Sequence, residues 1–131
     1  MRGLKDKIVV ITGAASGIGK ASALRFAEEG ANIVVADFAD GSATVKEVEA
    51  MGRKAIYVQT DVTSIDSAKA MAAKAIEVFG QIDVLINNAG ITKDAMMKKM
   101  AKEAWDAVIS VNLTGVFHCT SAVLPFMLEK Q

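Results

Sequence analysis

Residues 8–19 read IVVITGAASGIG, a short apolar run that leads directly into a glycine-rich segment. The β-branched run Ile8–Ile11 is typical of a strand that is buried on both faces of a parallel sheet. Gly13, Gly17 and Gly19 follow it, and a helical pattern begins behind them. Glycines at such a turn let the backbone approach a ligand closely, and the helix N-terminus offers free N–H groups to a pyrophosphate. Taken alone, the three glycines also fit a purely structural turn.

The remainder of the chain repeats this strand-then-helix unit. Apolar strand patterns at 33–36, 55–59 and 84–86 alternate with helical patterns, and a last helix runs from near Lys102 towards Lys130 with a break near Asn112. This order predicts an α/β fold, a doubly wound Rossmann-like parallel sheet with strand order 3-2-1-4. We expect one domain over residues 1–131, truncated after strand 4 and its following helix. The ligand crevice should lie at the carboxyl ends of strands 1 and 4.

Composition limits the class of partner and the compartment. The 131 residues are 52% hydrophobic, and fifteen basic residues balance fifteen acidic ones, so no charge excess favours nucleic acid or an anionic membrane. The single cysteine, Cys119, excludes an internal disulfide and a cysteine-based metal site. Each uninterrupted apolar segment is shorter than the roughly 20 residues of a membrane-spanning helix. We therefore expect a cytoplasmic protein, with no membrane and no metal.

Asp37 is a candidate ligand to a ribose. It ends the second strand pattern, 18 residues after Gly19, and dinucleotide sites place an acid at about this distance to accept hydrogen bonds from the adenosine ribose. A solvated acid at a strand end is the alternative interpretation. Because Ser16 and Phe38 are uncharged, a 2′-phosphate would meet the carboxylate without a counter-charge, so the sequence favours NAD over NADP.

Several motifs together resemble the short-chain dehydrogenase/reductase family. Thr12-Gly13-x-x-x-Gly17-x-Gly19, Asp61–Val62, Asn87–Gly90 and Asn112 stand in the order and spacing of that family, and the similarity covers essentially the whole chain. The segments 87–94 and 111–117 look most like those of 3-oxoacyl-[acyl-carrier-protein] reductases and acetoacetyl-CoA reductases. The resemblance thus implies NAD-dependent reduction of a 3-oxoacyl thioester to a 3-hydroxyacyl thioester.

The resemblance also implies a role for each matching residue. The residues expected to surround the pyrophosphate and its ribose are Gly13, Ser16, Gly17, Ile18 and Gly19. Those expected at the adenosine end are Asp37 and Phe38 for the ribose, and Asp61 and Val62 for the adenine. Those expected beside the nicotinamide ribose are Asn88, Ala89 and Gly90. Asn112 would hold a water molecule in the proton relay.

Two departures from the family pattern leave alternatives open. The family's catalytic serine and its Tyr-x-x-x-Lys are absent from these residues, since the single tyrosine, Tyr57, is followed four positions later by Asp61. Ketone reduction needs a general acid, so we expect cofactor contacts without turnover. One alternative is a non-catalytic truncated half-domain that binds nucleotide or self-associates. The other is a member of the same family that acts on another alcohol or ketone.

Two apolar surfaces predict a homo-oligomer. The run Val84–Ile86 would be an unpaired edge strand, and exposed edges recruit other strands. The last helix is predicted to carry one apolar stripe, composed of Val116, Phe117, Val123, Leu124, Met127 and Leu128. His118 and Cys119, on the same helix, are interpreted as packing residues.

Overall fold

A computed structural model describes residues 3–130 as four parallel strands alternating with helices. The elements up to the fourth strand are β1 (Ile8–Thr12), α1 (Gly17–Glu28), β2 (Asn32–Asp37), α2 (Ser42–Ala50), β3 (Ala55–Gln59), α3 (Ile65–Phe79) and β4 (Val84–Ile86). A 3₁₀ turn at Met97–Lys99, α4 (Lys102–Ile109), a π turn at Ser110–Thr114 and α5 (Gly115–Lys130) follow. The strand order is β3-β2-β1-β4, which confirms the predicted Rossmann-like sheet.

The sheet is covered on both faces because side chains alternate along each strand. Val9 and Ile33 point to the face that α1 and α2 cover, whereas Val10 and Val34 point to the face covered by α3 and α5. All five residues of β1 are buried, as the continuous apolar run predicts. The register pairs Val9 with Ile33 in β2 and with Val84 in β4.

Helix α3 packs on the sheet through one face and has well-defined ends. Ser64 is its N-cap and accepts a hydrogen bond from the Ser67 N–H at 3.1 Å, and Gly80 ends it with a φ of +79°. The residues that it buries are Ala68, Met71, Ala72 and Ala75.

The domain covers only part of the apolar stripe predicted for the last helix. Cys119, Ala122 and Val123 are buried in the core that α3 also lines, at the i, i+3, i+4 spacing of one helical face. The exposed members of the predicted stripe are Val116, Phe117, Leu124 and Leu128. The domain therefore buries one side of the predicted stripe and leaves its other side exposed.

The helical run from Lys102 to Lys130 is continuous, whereas the sequence predicts a break near Asn112. The π turn joins α4 to α5 without interruption, and the 29-residue run is long and apolar enough, by length and composition alone, to cross a membrane. The uninterrupted apolar segments in the sequence are each shorter, so they did not identify a run of this length and apolarity. In the fold, one face of α5 packs against α3.

Asp83 ties three chain segments together at the amino end of the sheet. Its carboxylate accepts hydrogen bonds from the Ile8 N–H and from Gln81 Nε2, both at 2.8 Å, and from Lys130 at the end of α5. Burial acts to raise the pKa of Asp83, but these three donors outweigh it, so the pKa lies below its ordinary value. The contact helps to fix α5 against β1 and β4.

Candidate functional site

A cleft of about 590 Å³ opens at the carboxyl ends of the strands, where the strand order reverses between β1 and β4. Its lining residues are Gly13, Ser16, Ala36, Asp37, Phe38, Thr60, Asp61, Val62, Asn88, Ala89, Gly90, Ile91 and Val111. Two carboxylates belong to this set, and no lysine or arginine does among the described residues. Ligands of open α/β sheets bind in such a crevice.

The loop between β1 and α1 has the close packing that requires glycine. Gly13 has a φ of +71°, and a Cβ there would lie 2.9 Å from Asn88 Nδ2 and 3.0 Å from the Ala89 Cα. A Cβ on Gly19 would overlap the Gly13 carbonyl oxygen and the Asn88 amide nitrogen. Gly17, with a φ of +58°, begins α1 in open space. Gly13 and Gly19 thus allow close packing, and Gly13 and Gly17 adopt positive φ.

The N-terminus of α1 is available to an anion. Ser16 is the N-cap, its side chain makes no capping hydrogen bond, and no acidic residue lies in the first turn. The first N–H groups of a helix lack intrahelical partners and carry partial positive charge. The side chain of Ile18 at this end is 80% exposed, and that of Phe38 across the cleft is 69% exposed.

Asp37 is held in place by backbone donors on both sides. Its Oδ2 accepts from the Ala15 N–H and its Oδ1 from the Ala39 N–H, each at 2.9 Å. Its own carbonyl accepts from the Tyr57 hydroxyl at 3.2 Å. Burial, together with the charges of Asp40 and Asp37, raises the pKa of Tyr57 above its ordinary value. The carboxylate is therefore both part of the glycine-rich loop's support and part of the cleft wall.

Asp61 and Val62 form the next part of the wall, after β3. Asp61 Oδ1 accepts from the Thr63 N–H at 2.9 Å and from its hydroxyl at 2.6 Å. The Val62 carbonyl contacts His118 Nδ1 at 2.8 Å, so the histidine positions this turn. That contact was not predicted, because no spacing in the sequence links α5 to residue 62.

Thr12 and Asn88 join the two central strand ends. The Thr12 hydroxyl accepts from the Asn88 and Ala89 N–H groups, both at 3.0 Å. Asn88 Nδ2 donates to the carbonyls of Thr12, at 3.1 Å, and Gly13, at 3.3 Å. These bonds set the position of the Asn88–Gly90 backbone at the edge of the cleft.

Asn112 lies in the π turn and faces the segment after β4. Its Oδ1 accepts from the Ile91 N–H at 2.8 Å, and its Nδ2 donates to the Ile91 carbonyl at 2.9 Å. A Cβ on Gly90 would lie 3.4 Å from Asn112 Oδ1. Single π turns in helices occur frequently at functional sites. Asn112 lies beside the cleft without lining it.

The structure brings most of the predicted site residues to one cleft. Those that line it are Gly13, Ser16, Asp37, Phe38, Asp61, Val62, Asn88, Ala89 and Gly90. Gly17, Ile18 and Gly19 shape the loop and the start of α1 instead. The lining residues that were not predicted are Ala36, Thr60, Ile91 and Val111. Ala36 and Thr60 could have been found, since each is one residue from a predicted site residue at the end of a strand.

The chain belongs to the short chain dehydrogenase family, whose sequence model matches residues 7–131. This is the family that the sequence motifs resemble, and the fold and the cleft agree with it.

Individual relatives are similar over nearly the whole chain. It is 46% identical over 130 residues to the 3-oxoacyl-[acyl-carrier-protein] reductase FabG of Thermotoga maritima, covering 98% of this chain and 53% of that protein. It is 40% identical over 131 residues to (2S)-[(R)-hydroxy(phenyl)methyl]succinyl-CoA dehydrogenase subunit BbsD of Thauera aromatica, covering 98% of this chain and 53% of that protein. The chain spans about half the length of the curated relatives it matches.

The fold is also similar to that of a solved structure of the same family. A short chain dehydrogenase/reductase from Burkholderia phymatum, in complex with NAD, superposes with a TM-score of 0.94 at 36% identity, covering 99% of this chain and 47% of that one.

Proposed function

We propose that this chain provides the NAD(H)-binding half of an oxidoreductase that reduces 3-oxoacyl thioesters to 3-hydroxyacyl thioesters. The observation that carries the proposal is the juxtaposition, in one cleft, of an open helix N-terminus, a glycine loop with no room for a side chain at Gly13 or Gly19, and the anchored Asp37 carboxylate. A dinucleotide needs these three features: donors for its pyrophosphate, close backbone approach, and an acceptor for its ribose hydroxyls.

Different residues of this chain are assigned to each part of the dinucleotide. The loop 13–19 would hold the pyrophosphate, Asp37 and Phe38 the adenosine ribose, and Asp61 and Val62 the adenine. Asn88, Ala89 and Gly90 would lie beside the nicotinamide ribose, and Asn112 would hold a water molecule in the proton relay. When bound, the nicotinamide supplies hydride exchange, and the protein supplies binding, orientation and electrostatics.

The preference for NAD over NADP follows from the charge at the adenosine end. A 2′-phosphate on the ribose would be next to the Asp37 carboxylate, with no basic residue among the described lining residues to balance it. Calorimetric titration with NAD⁺ and NADP⁺ tests this. We expect NAD⁺ to bind at least about tenfold more tightly, which is about 1.4 kcal/mol.

Asp37→Asn is the charge-removing variant for that titration; its one amide oxygen accepts from only one of the two backbone donors, the Ala15 N–H or the Ala39 N–H. It should reduce the discrimination between the two cofactors. Equal or tighter binding of NADP⁺ by the wild-type chain would overturn the preference.

The substrate class is proposed from the relatives. Similarity to the FabG of Thermotoga maritima favours an acyl-carrier-protein thioester. Similarity to BbsD, a dehydrogenase of a hydroxyacyl-CoA by its name, favours a coenzyme A thioester. A short chain dehydrogenase that acts on another alcohol or ketone is the alternative. Comparing acetoacetyl-CoA with simple alcohols and ketones as substrates of the full-length protein distinguishes thioester reduction from that alternative.

For residues 1–131 alone we propose cofactor binding without turnover. These residues contain one tyrosine, Tyr57, which is in β3 with its hydroxyl bonded to the Asp37 carbonyl, and they contain no Tyr-x-x-x-Lys. The 131-residue polypeptide should therefore not oxidise NADH in the presence of acetoacetyl-CoA. Turnover by a polypeptide whose mass confirms that length would contradict this. A non-catalytic nucleotide-binding or self-associating domain is the alternative function.

We also propose that the chain is a homo-oligomer and that it resides in the cytoplasm. Among the described residues, β4 pairs with a strand on one side only, and Phe117, Leu124 and Leu128 are exposed on α5. Size-exclusion chromatography with light scattering should give a species larger than 13.8 kDa. A clean monomer at micromolar concentration would contradict the association, and recovery in the membrane fraction would contradict the compartment.

A further inference from the structure

Thr44 is a fully buried polar residue that is remote in sequence from the glycine-rich loop yet bonded to it. It lies in α2, has no exposed surface, and its hydroxyl donates to the Ala14 carbonyl at 2.9 Å across a separation of 30 residues. A threonine within a helix commonly returns its hydroxyl to a carbonyl of its own helix. Here the hydroxyl donates instead to the loop between β1 and α1.

The Thr44 bond completes a continuous attachment of that loop to the β2–α2 segment. The Gly13 N–H donates to the Ala36 carbonyl at 2.8 Å, and the Ala15 N–H donates to Asp37 Oδ2 at 2.9 Å. Ala14, between them, is held by Thr44. Three consecutive loop residues are thus each fixed by a different partner.

The attachment sets the direction of the loop where it enters α1. A rotation of the Ala14–Ala15 peptide would break the Ala14–Thr44 bond and the Ala15–Asp37 bond together, and would displace the Ser16 N-cap that follows. A protein whose binding-competent conformation is only partly populated binds its ligand more weakly by that fraction. The Thr44 hydroxyl therefore acts on the site without reaching the cleft, since Thr44 is not among its lining residues.

We propose that Thr44 is a positioning residue for the phosphates of the dinucleotide, acting through the Ala14 carbonyl. This rests on the proposed function. It also assigns to α2 a role in binding that the sequence motifs of the loop do not indicate. This positioning role requires the Thr44 hydroxyl, because a side chain of the same shape without a donor cannot bond the Ala14 carbonyl.

The test compares three variants of the 131-residue chain. Thr44→Val keeps the shape and removes the donor, whereas Thr44→Ser keeps the donor. Val48→Ala destabilises the same helix, because Val48 is also fully buried, but leaves the Thr44 bond in place. Affinities are measured by calorimetry, well below each unfolding midpoint, with two probes: ADP, which carries the pyrophosphate, and adenosine, which does not.

Thr44→Val should weaken ADP about five- to tenfold while leaving adenosine within about twofold. Thr44→Ser should bind ADP as the wild type does, and Val48→Ala should do so despite its lower stability. The exchange rate of the Ala15 amide should rise in Thr44→Val more than that of the β1 amides. This second readout does not depend on any ligand.

Each other outcome overturns a specific statement. If the wild-type chain binds ADP and Thr44→Val binds it equally, the positioning role is wrong. If Val48→Ala weakens ADP as much as Thr44→Val does, Thr44 acts only through the stability of α2, which also refutes the role. If the wild type binds neither ADP nor NAD⁺, the proposed function fails, and the inference fails with it.

Discussion

Replacing Thr12 by valine should destabilise the domain and loosen the edge of the cleft at the same time. Thr12 is 1% exposed at the end of β1, and its hydroxyl accepts from the Asn88 and Ala89 N–H groups. Valine has nearly the same shape, so it leaves both donors facing a methyl group. Other contributions to the change, such as cavity formation, are small because the volume is conserved.

The magnitude follows from the number of donors that lose their partner. A buried donor without an acceptor costs about 1–3 kcal/mol. Asn88 and Ala89 are half-buried, which allows water to replace part of each lost bond, so we take the lower end for each donor. The expected loss in the free energy of unfolding is about 2–3 kcal/mol, a large part of the roughly 5–15 kcal/mol of an ordinary domain.

Urea unfolding followed by circular dichroism measures this difference. Thr12→Ser is the matched control, because it keeps the acceptor and loses only a buried methyl group, for about 1 kcal/mol. If Thr12→Val lies within about 0.5 kcal/mol of the wild type, or if Thr12→Ser is the more destabilised, the hydroxyl does not hold the strand ends as described.

Three further predictions concern the loop, the pH dependence and the thiol. Gly19→Ala should abolish NAD⁺ binding in calorimetry, because its Cβ would overlap the Gly13 carbonyl and the Asn88 amide; retained affinity would contradict the close packing. The lowered pKa of Asp83 means that its stabilisation is complete above the ordinary carboxyl pKa and is lost as the pH falls through the lowered folded-state value. Asp83→Asn should therefore flatten the acid limb of a plot of unfolding free energy against pH, and an unchanged limb would refute this. Burial raises the pKa of Cys119 to about 11, so the thiol should react with a disulfide reagent at pH 8 only after unfolding; prompt reaction of the native chain would show that α5 opens.

Most of the architecture could be predicted because its signals are local. The β-branched run at residues 8–11 and the three later apolar patterns each predict a strand, and βαβ handedness then restricts the sheet to few orders. The cap at Ser64 and the stop at Gly80 follow from single residues. Which side of the stripe on α5 is buried could not be predicted, because only tertiary packing selects it.

In the candidate site, too, some residues could be predicted from local sequence signals and others could not. Residues at strand ends and in the glycine loop could be placed together, because parallel strands bring their carboxyl ends to one edge. Contacts between distant elements could not: Thr44 with Ala14, Tyr57 with Asp37, and His118 with Val62 leave no pattern in the sequence. The engagement of both Asn112 amide atoms by Ile91 likewise depends on the π turn.

The central claim is that one cleft of this chain binds a dinucleotide with its phosphates at the N-terminus of α1. Titration of the ¹⁵N-labelled chain with NAD⁺, followed by amide chemical shifts, tests it most directly. We predict saturable shifts at Gly13, Ser16, Asp37, Asp61 and Ala89, with α3 amides at Ala68 to Ala75 unmoved. Shifts confined to other surfaces, or none at millimolar NAD⁺, would contradict the claim.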